Sequence, residues 1–181
     1  TGPGALEVVQ RACVAQCDVP VGRVVYTPVL DPKGGFVSDL TVMRLGHEHF
    51  RVVTGGAHGM VDKKWFSNIA RELGTASVAD LTSAYTTIGI WGPKARDVVQ
   101  ALTRADMSHE GFPFGTCRNV EMDSLMVLAS RISYVGELGW ELYVPIEQGA
   151  RLWAMLHEAG RPLGTIPVGI QWPSDPQWHN F

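Results

Sequence analysis

Arg131-Ile132-Ser133-Tyr134-Val135-Gly136-Glu137-Leu138-Gly139-Trp140-Glu141-Leu142-Tyr143-Val144-Pro145 is the stretch from which the rest of the chain can be read. Its two ends alternate as strands do, and two glycines bracket a carboxylate in the middle, so the chain turns tightly there and approaches something closely. On a strand, Gly139, Glu141 and Tyr143 share one face and Trp140, Leu142 and Val144 the other. The apolar set is the core face. Glu141 is left to face water or a ligand.

Upstream, Gly2-Pro3-Gly4-Ala5-Leu6-Glu7-Val8-Val9-Gln10 reads as a turn feeding a helix, with proline near the start and an acidic residue in an early turn. Gly92-Pro93-Lys94-Ala95-Arg96-Asp97-Val98-Val99-Gln100 repeats it ninety positions later, which makes it an internal repeat of a strand–turn–helix unit. A strand, Thr86 to Trp91, precedes the second copy. Only Thr1 stands where the first copy's strand belongs, so material upstream is expected in the natural protein.

Between the copies, Arg23–Leu30, Phe36–Leu45 and Phe50–Thr54 form a meander of antiparallel strands punctuated by Asp31-Pro32-Lys33-Gly34-Gly35. Met60 to Leu73 then carries Val61, Trp65, Ile69 and Leu73 on one helical stripe. The second half repeats the theme: a helix over Ala95–Leu102, strands at Met126–Ile132 and Gly139–Val144, and a helix from Glu147 to Gly160, which serves as C-cap. The fold class is α+β, two related lobes of antiparallel sheet with flanking helices. Residues 1–80 form the first lobe, 81–170 the second and 171–181 an irregular tail.

With 181 residues of which 45% are hydrophobic, the chain has ample material for a core. A net charge of −3 supplies no basic field for a nucleic-acid backbone or an anionic membrane surface. No apolar run approaches the roughly 20 residues of a membrane helix. Cys13, Cys17 and Cys117 are odd in number and lack metal-type spacing, which suits a reducing intracellular compartment. Cys13 and Cys17, four apart at a helix end, share one face as small core side chains. His47-Glu48-His49 has no third partner at helical spacing and is not read as a metal site. Neither nucleotide-binding glycine fingerprint occurs.

Asp39 stands out because it interrupts a strand among Val37, Leu40 and Val42, where aspartate is disfavoured. It lies either on the solvent face of a half-buried strand, or as a partly desolvated carboxylate with a raised pKa, suited to proton transfer or to steadying a cation. Glu137 and Glu141 are surface groups or ligands; a carboxylate can accept two parallel N–H bonds from a heterocycle edge.

Four separated motifs carry a resemblance. They are Tyr26-Thr27-Pro28-Val29-Leu30, Gly34-Gly35-Phe36-Val37-Ser38-Asp39-Leu40-Thr41-Val42, Trp91-Gly92-Pro93-Lys94-Ala95, and Ser133 through Glu141. In this order, across residues 1–170, they resemble the aminomethyltransferase (glycine-cleavage T-protein) family. The run from Arg131 to Pro145 is most similar to the tetrahydrofolate domain fused to dimethylglycine or sarcosine dehydrogenases and oxidases. The resemblance implies the aminomethyltransferase folate-binding fold, truncated at both ends, and tetrahydrofolate as the bound cofactor. It implies transfer of a one-carbon unit from an amine or iminium donor to give 5,10-methylenetetrahydrofolate.

By the same resemblance, Asp39 is the catalytic acidic residue beside the folate nitrogens. Tyr26 and Tyr134 line the folate site, Glu141 grips the amino-pyrimidinone edge of the pterin, and Glu137 is its neighbour. FAD belongs to a fused or partner flavin dehydrogenase domain that makes the iminium. Localisation follows as cytoplasm in a bacterium or mitochondrial matrix in a eukaryote. After Pro167-Val168-Gly169-Ile170 the family continues into a helix with a folate-holding arginine, whereas this chain reads Gln171-Trp172-Pro173-Ser174. The alternative is therefore a non-catalytic folate-binding or regulatory module of the same fold.

Overall fold

The structure, a computed structural model, describes residues 1–169; the tail expected over 171–181 lies outside the described residues. The repeated Gly-Pro turn shows how each half begins. Gly2 and Gly92 adopt φ of +117° and +130°, a region that favours glycine. Each accepts a bond from the alanine three residues on, at 2.9 Å (Ala5) and 3.0 Å (Ala95). The helices so started are α1 (Ala5–Ala12) and, in the second half, α3 (Ala95–Gln100).

After α1 come β1 (Val24–Leu30), β2 (Phe36–Gly46) and β3 (His49–Thr54), an antiparallel meander in the order β1-β2-β3, followed by α2 (Gly59–Leu73). Strand β1 tolerates Pro28 because it lies at a sheet edge; the Pro28 carbonyl turns outward and accepts from Val14 N at 3.2 Å. The second half contributes β4 (Tyr85–Trp91), β5 (Cys117–Met122), β6 (Leu125–Ser130), β7 (Gly139–Pro145) and α4 (Gly149–Gly160). Its sheet runs β4-β7-β6-β5 with every neighbour antiparallel. This is the α+β architecture expected, with one strand more than the sequence suggested. Strand β5 was not anticipated because Cys117-Arg118-Asn119-Val120-Glu121-Met122 puts polar groups on its other face.

Three apolar clusters hold these layers. Val8, Val9, Val29, Leu40, Val42, Phe66 and their neighbours join α1 and α2 to one face of the first sheet. Trp140, Leu142 and Val144 are buried with Ile90, Val127, Val99 and Leu152 beneath α3 and α4, as the alternation in β7 required. The third cluster, Val24, Met43, Cys117 and Tyr143, lies between the two sheets. Backbone bonds at the same seam, Val24 N to Gly115 O at 2.9 Å and Cys117 N to Gly22 O at 2.7 Å, join the sheets directly. Among the described residues no helix is long and apolar enough to cross a membrane.

Several local expectations shift. Helix α1 ends at Ala12, so Cys13 is its extended C-cap and Cys17 sits in the following loop; both are buried, but not on a helical face. On α2 the buried line is Asp62, Phe66 and Ala70, while Val61 is 57% exposed. The expected Trp65, Ile69 and Leu73 pack half-buried against the core, while the fully buried line lies one position on and includes a polar residue, which an apolar count cannot register. Strand β6 stops at Ser130, earlier than expected, because Arg131 pairs with Thr116 and Gly115 instead. The helix expected from Glu147 begins as a 3-10 turn over Ile146–Gln148. Its left-handed stop is Gly164, φ +82°, beyond a second 3-10 turn, and Gly160 is the last residue of α4.

Candidate functional site

Asp39 lies on the face of β2 that looks toward the second sheet, the face that also carries Met43. The register pairs Pro28 with Asp39 and Thr41 with Tyr26, which makes Tyr26 the diagonal neighbour of Asp39 across the strands. The Tyr26 hydroxyl donates to Asp39 Oδ2 at 2.6 Å. Both side chains are open to solvent, Tyr26 at 68% exposure. The solvent-facing reading of Asp39 is thus the one realised in this chain, and the desolvated carboxylate is not. The bond to Asp39 raises the Tyr26 phenol above its ordinary value, and the nearby Tyr134 phenol adds to the effect. Tyr134, 90% exposed, reaches this corner on the loop after Arg131.

Arg131 is the anchor of that loop. It is 3% exposed. Its guanidinium donates to Phe112 O and to His109 Nδ1, the latter at 2.8 Å, and lies 5.5 Å from the Trp140 ring centroid. Arginine has no acceptor, so His109 accepts at Nδ1 and carries its proton on Nε2. Burial pulls the guanidinium pKa down, with the charge of Arg96 acting in the same direction and Glu110 opposing. The loop then turns at Gly136, φ +79°, leaving Glu137 exposed at its tip.

Glu141 is half-buried at the centre of the second sheet, paired with Gly89 on one side and Ser130 on the other. The hydroxyl of Tyr143, two residues along the same face, donates to Glu141 Oε2. Tyr143 is itself buried in the seam between the sheets. Its phenol pKa is pushed well up, first by burial and then by the adjacent carboxylate, with Arg51 opposing. Gly89 is a glycine for a visible reason: a Cβ there would meet the Trp91 indole at 2.1 Å. That indole donates to Ile132 O at 3.3 Å and so closes over the strand beside Glu141.

Arg51 was missed in the sequence because a lone arginine in a strand carries no pattern. It reaches from β3 to the second sheet, its guanidinium 4.3 Å from the Tyr85 ring centroid and 5.7 Å from that of Tyr143. Arg51 Nη1, Ser130 Oγ and Ser133 Oγ are buried with no hydrogen-bond partner among the described residues. Donors left over near a carboxylate suit a ligand with both acceptor and donor edges. The two carboxylates, each steadied by a tyrosine hydroxyl, thus stand on facing sheets. Two concavities lie elsewhere, a cleft of about 1030 Å³ against Leu102, Arg104, Glu121 and Glu158, and a groove of about 410 Å³ along Gly89, Trp91, Trp153 and Val168. Neither is lined by Asp39 or Glu141.

The model of the GCVT N-terminal domain matches residues 1–172. The 4-methylaminobutanoate oxidase (formaldehyde-forming) of Paenarthrobacter nicotinovorans is 38% identical over 168 residues, covering 93% of this chain and 20% of that protein. An aminomethyltransferase of Natranaerobius thermophilus is 31% identical over 172 residues, covering 93% of this chain and 46% of that one. In structure, the glycine cleavage system aminomethyltransferase T of Bartonella henselae superposes with a TM-score of 0.74 at 23% identity, over 88% of this chain and 42% of that one. The chain thus spans less than half the length of the curated relatives it matches.

Proposed function

Since the chain belongs to the GCVT N-terminal domain family, we propose that it binds tetrahydrofolate and serves its conversion to 5,10-methylenetetrahydrofolate with a one-carbon unit from an amine or iminium donor. The observation that carries this reading is the pair of tyrosine-held carboxylates, Asp39 with Tyr26 and Glu141 with Tyr143, on the facing surfaces of the two sheets. Tetrahydrofolate, when bound, supplies the nitrogens that take the one-carbon unit. Glu141 holds its amino-pyrimidinone edge: Oε2 already accepts from Tyr143, which fixes the carboxylate, and its other oxygen is free to receive an N–H. Ser130, the strand partner of Glu141, and Arg51, beside Tyr143, carry donors with no partner among the described residues. Tyr134 and Tyr26 stand exposed at the open corner, and Glu137 stands at the loop tip.

Asp39 is the group beside the reacting centre. Its carboxylate, open to solvent on the face toward the second sheet, steadies a cationic amine or iminium and receives a proton as the new bond forms. The Tyr26 hydroxyl orients it. FAD and the oxidation that makes an iminium belong to a flavin dehydrogenase domain, fused or partnered. The family likeness to an oxidase of which this chain spans one fifth supports that division.

Calorimetric titration with tetrahydrofolate tests the reading. Glu141→Ala weakens binding about 10- to 100-fold, the value of a charge-assisted hydrogen bond with its orphaned partner. Asp39→Ala keeps affinity within a few-fold and lowers one-carbon transfer by about 10²- to 10⁴-fold. Binding unchanged in Glu141→Ala removes the pterin assignment. The second reading, a folate-binding module without turnover, draws on Asp39, which stands open to solvent with the Tyr26 hydroxyl as its side-chain partner. Saturable binding with no transfer in the natural parent protein would select it.

A further inference from the structure

We propose that Asp62 is the positioning residue for Asp39, a buried carboxylate that clamps the backbone on both sides of it. The inference rests on the role given to Asp39 above, but the clamp can be tested without it.

Asp39 sits at the end of the β2–β3 ladder. The outward turn of the Pro28 carbonyl toward Val14 marks Pro28–Asp39 as a pair of the non-hydrogen-bonded kind. The N–H and C=O of Asp39 therefore point toward the β3 side. On that side the register ends one residue short, at Leu40–Thr54. The strand opposite is irregular as well, with a register shift between Val29 and Leu30.

Asp62 makes up for this from behind. It lies in the first turn of α2, 2% exposed, on the far face of the sheet from Asp39. Ser38 Oγ, also 2% exposed, donates to Asp62 Oδ2 at 2.9 Å, and Thr54 Oγ1 donates to the same oxygen. Ser38 is the residue before Asp39, and Thr54 is the strand partner of the residue after it. One oxygen thus ties α2, β2 and β3 together around Asp39. Asp62 Oδ1 has no partner among the described residues. Burying a carboxylate with an orphaned oxygen costs stability that an apolar side chain among Phe66, Leu40 and Val42 would not. What the carboxylate contributes is a fixed placement of β2 at Ser38 against α2 and β3, and with it the reach of the next residue, Asp39, to the Tyr26 hydroxyl on the opposite face.

The test reads that reach directly. Asp62→Ala removes the shared acceptor; Ser38→Ala and Thr54→Val each remove one donor and serve if Asp62→Ala does not fold. The phenol of Tyr26, assigned by its loss in Tyr26→Phe, is titrated by ¹³C-tyrosine NMR in each folded variant. The expected result is a Tyr26 pKa that drops back toward the ordinary tyrosine value of about 10, because the bond that raises it is to Asp39. In the parent enzyme, one-carbon transfer falls about 10- to 100-fold for a displacement of about 1 Å, with tetrahydrofolate affinity within a few-fold. An unmoved Tyr26 titration in the folded variants overturns the clamp. A Tyr26 that responds to Asp62, combined with full turnover in Asp39→Ala, upholds the clamp and defeats the catalytic reading instead.

Discussion

Replacing Arg131 tests how the loop bearing Tyr134 is held. In Arg131→Met the stem volume is kept while three interactions vanish: the bond to Phe112 O, the bond to His109 Nδ1 and the stacking on Trp140. An orphaned buried carbonyl costs about 1–3 kcal/mol, and the cation–π contact is worth about 0.5–2 kcal/mol. Relief of the guanidinium's desolvation offsets part of this. The net expectation is about 2–4 kcal/mol for Arg131→Met, with Arg131→Ala costing about 1–2 kcal/mol more for the lost stem. With a urea m-value of about 2 kcal/mol/M, the Arg131→Met midpoint falls by about 1–2 M. Urea unfolding followed by tryptophan fluorescence measures it. The Arg131 backbone bonds to Gly115 and Thr116 survive the substitution, so the native state still forms. A midpoint for Arg131→Met within about 0.3 M of the parent would show that the buried guanidinium is not what holds this corner.

Two further outcomes concern the seam between the sheets and the packing of β4 on β7. Tyr143, pushed well up, and Cys117, pushed up to about 11 by burial, both hold their protons more tightly in the folded state than in the unfolded one. Their stabilisation is complete below the unfolded pKa values and is lost as pH rises, from about 8.5 for the thiol and about 10 for the phenol. Stability therefore falls by up to about 1.4 kcal/mol per pH unit for each group, and Tyr143→Phe flattens the fall above pH 10 in urea melts run across that range. Gly139→Ala places a Cβ 2.2 Å from Ile90 O and 2.3 Å from the Trp91 indole. Because one of these is backbone, β4 and β7 must separate, and a loss of about 3 kcal/mol or more in thermal unfolding is expected; a near-neutral melt would contradict the strand spacing described.

The alternation of β7, the repeated Gly-Pro turns and the meander of three strands were legible in the sequence because each is a local pattern with one physical cause. Trp140, Leu142 and Val144 are buried by strand geometry alone. Gly2 and Gly92 mark helix starts because both adopt positive φ. Asp39 was visible as an aspartate in an apolar strand, and Glu141 as the odd charge on an otherwise patterned one. The tertiary structure decided what lies on the other side of each strand. Tyr143 shares a face with Glu141, yet it is buried because a second sheet packs there, and no property of β7 announces that sheet. The same contact brings Arg51 to Tyr85 and Tyr143, and the fully buried line of α2, one position on from its apolar stripe, brings Asp62 beneath Ser38 and Thr54. Periodicity along a chain reports which residues share a face; what that face meets depends on contacts between distant segments, and only the folded structure contains those.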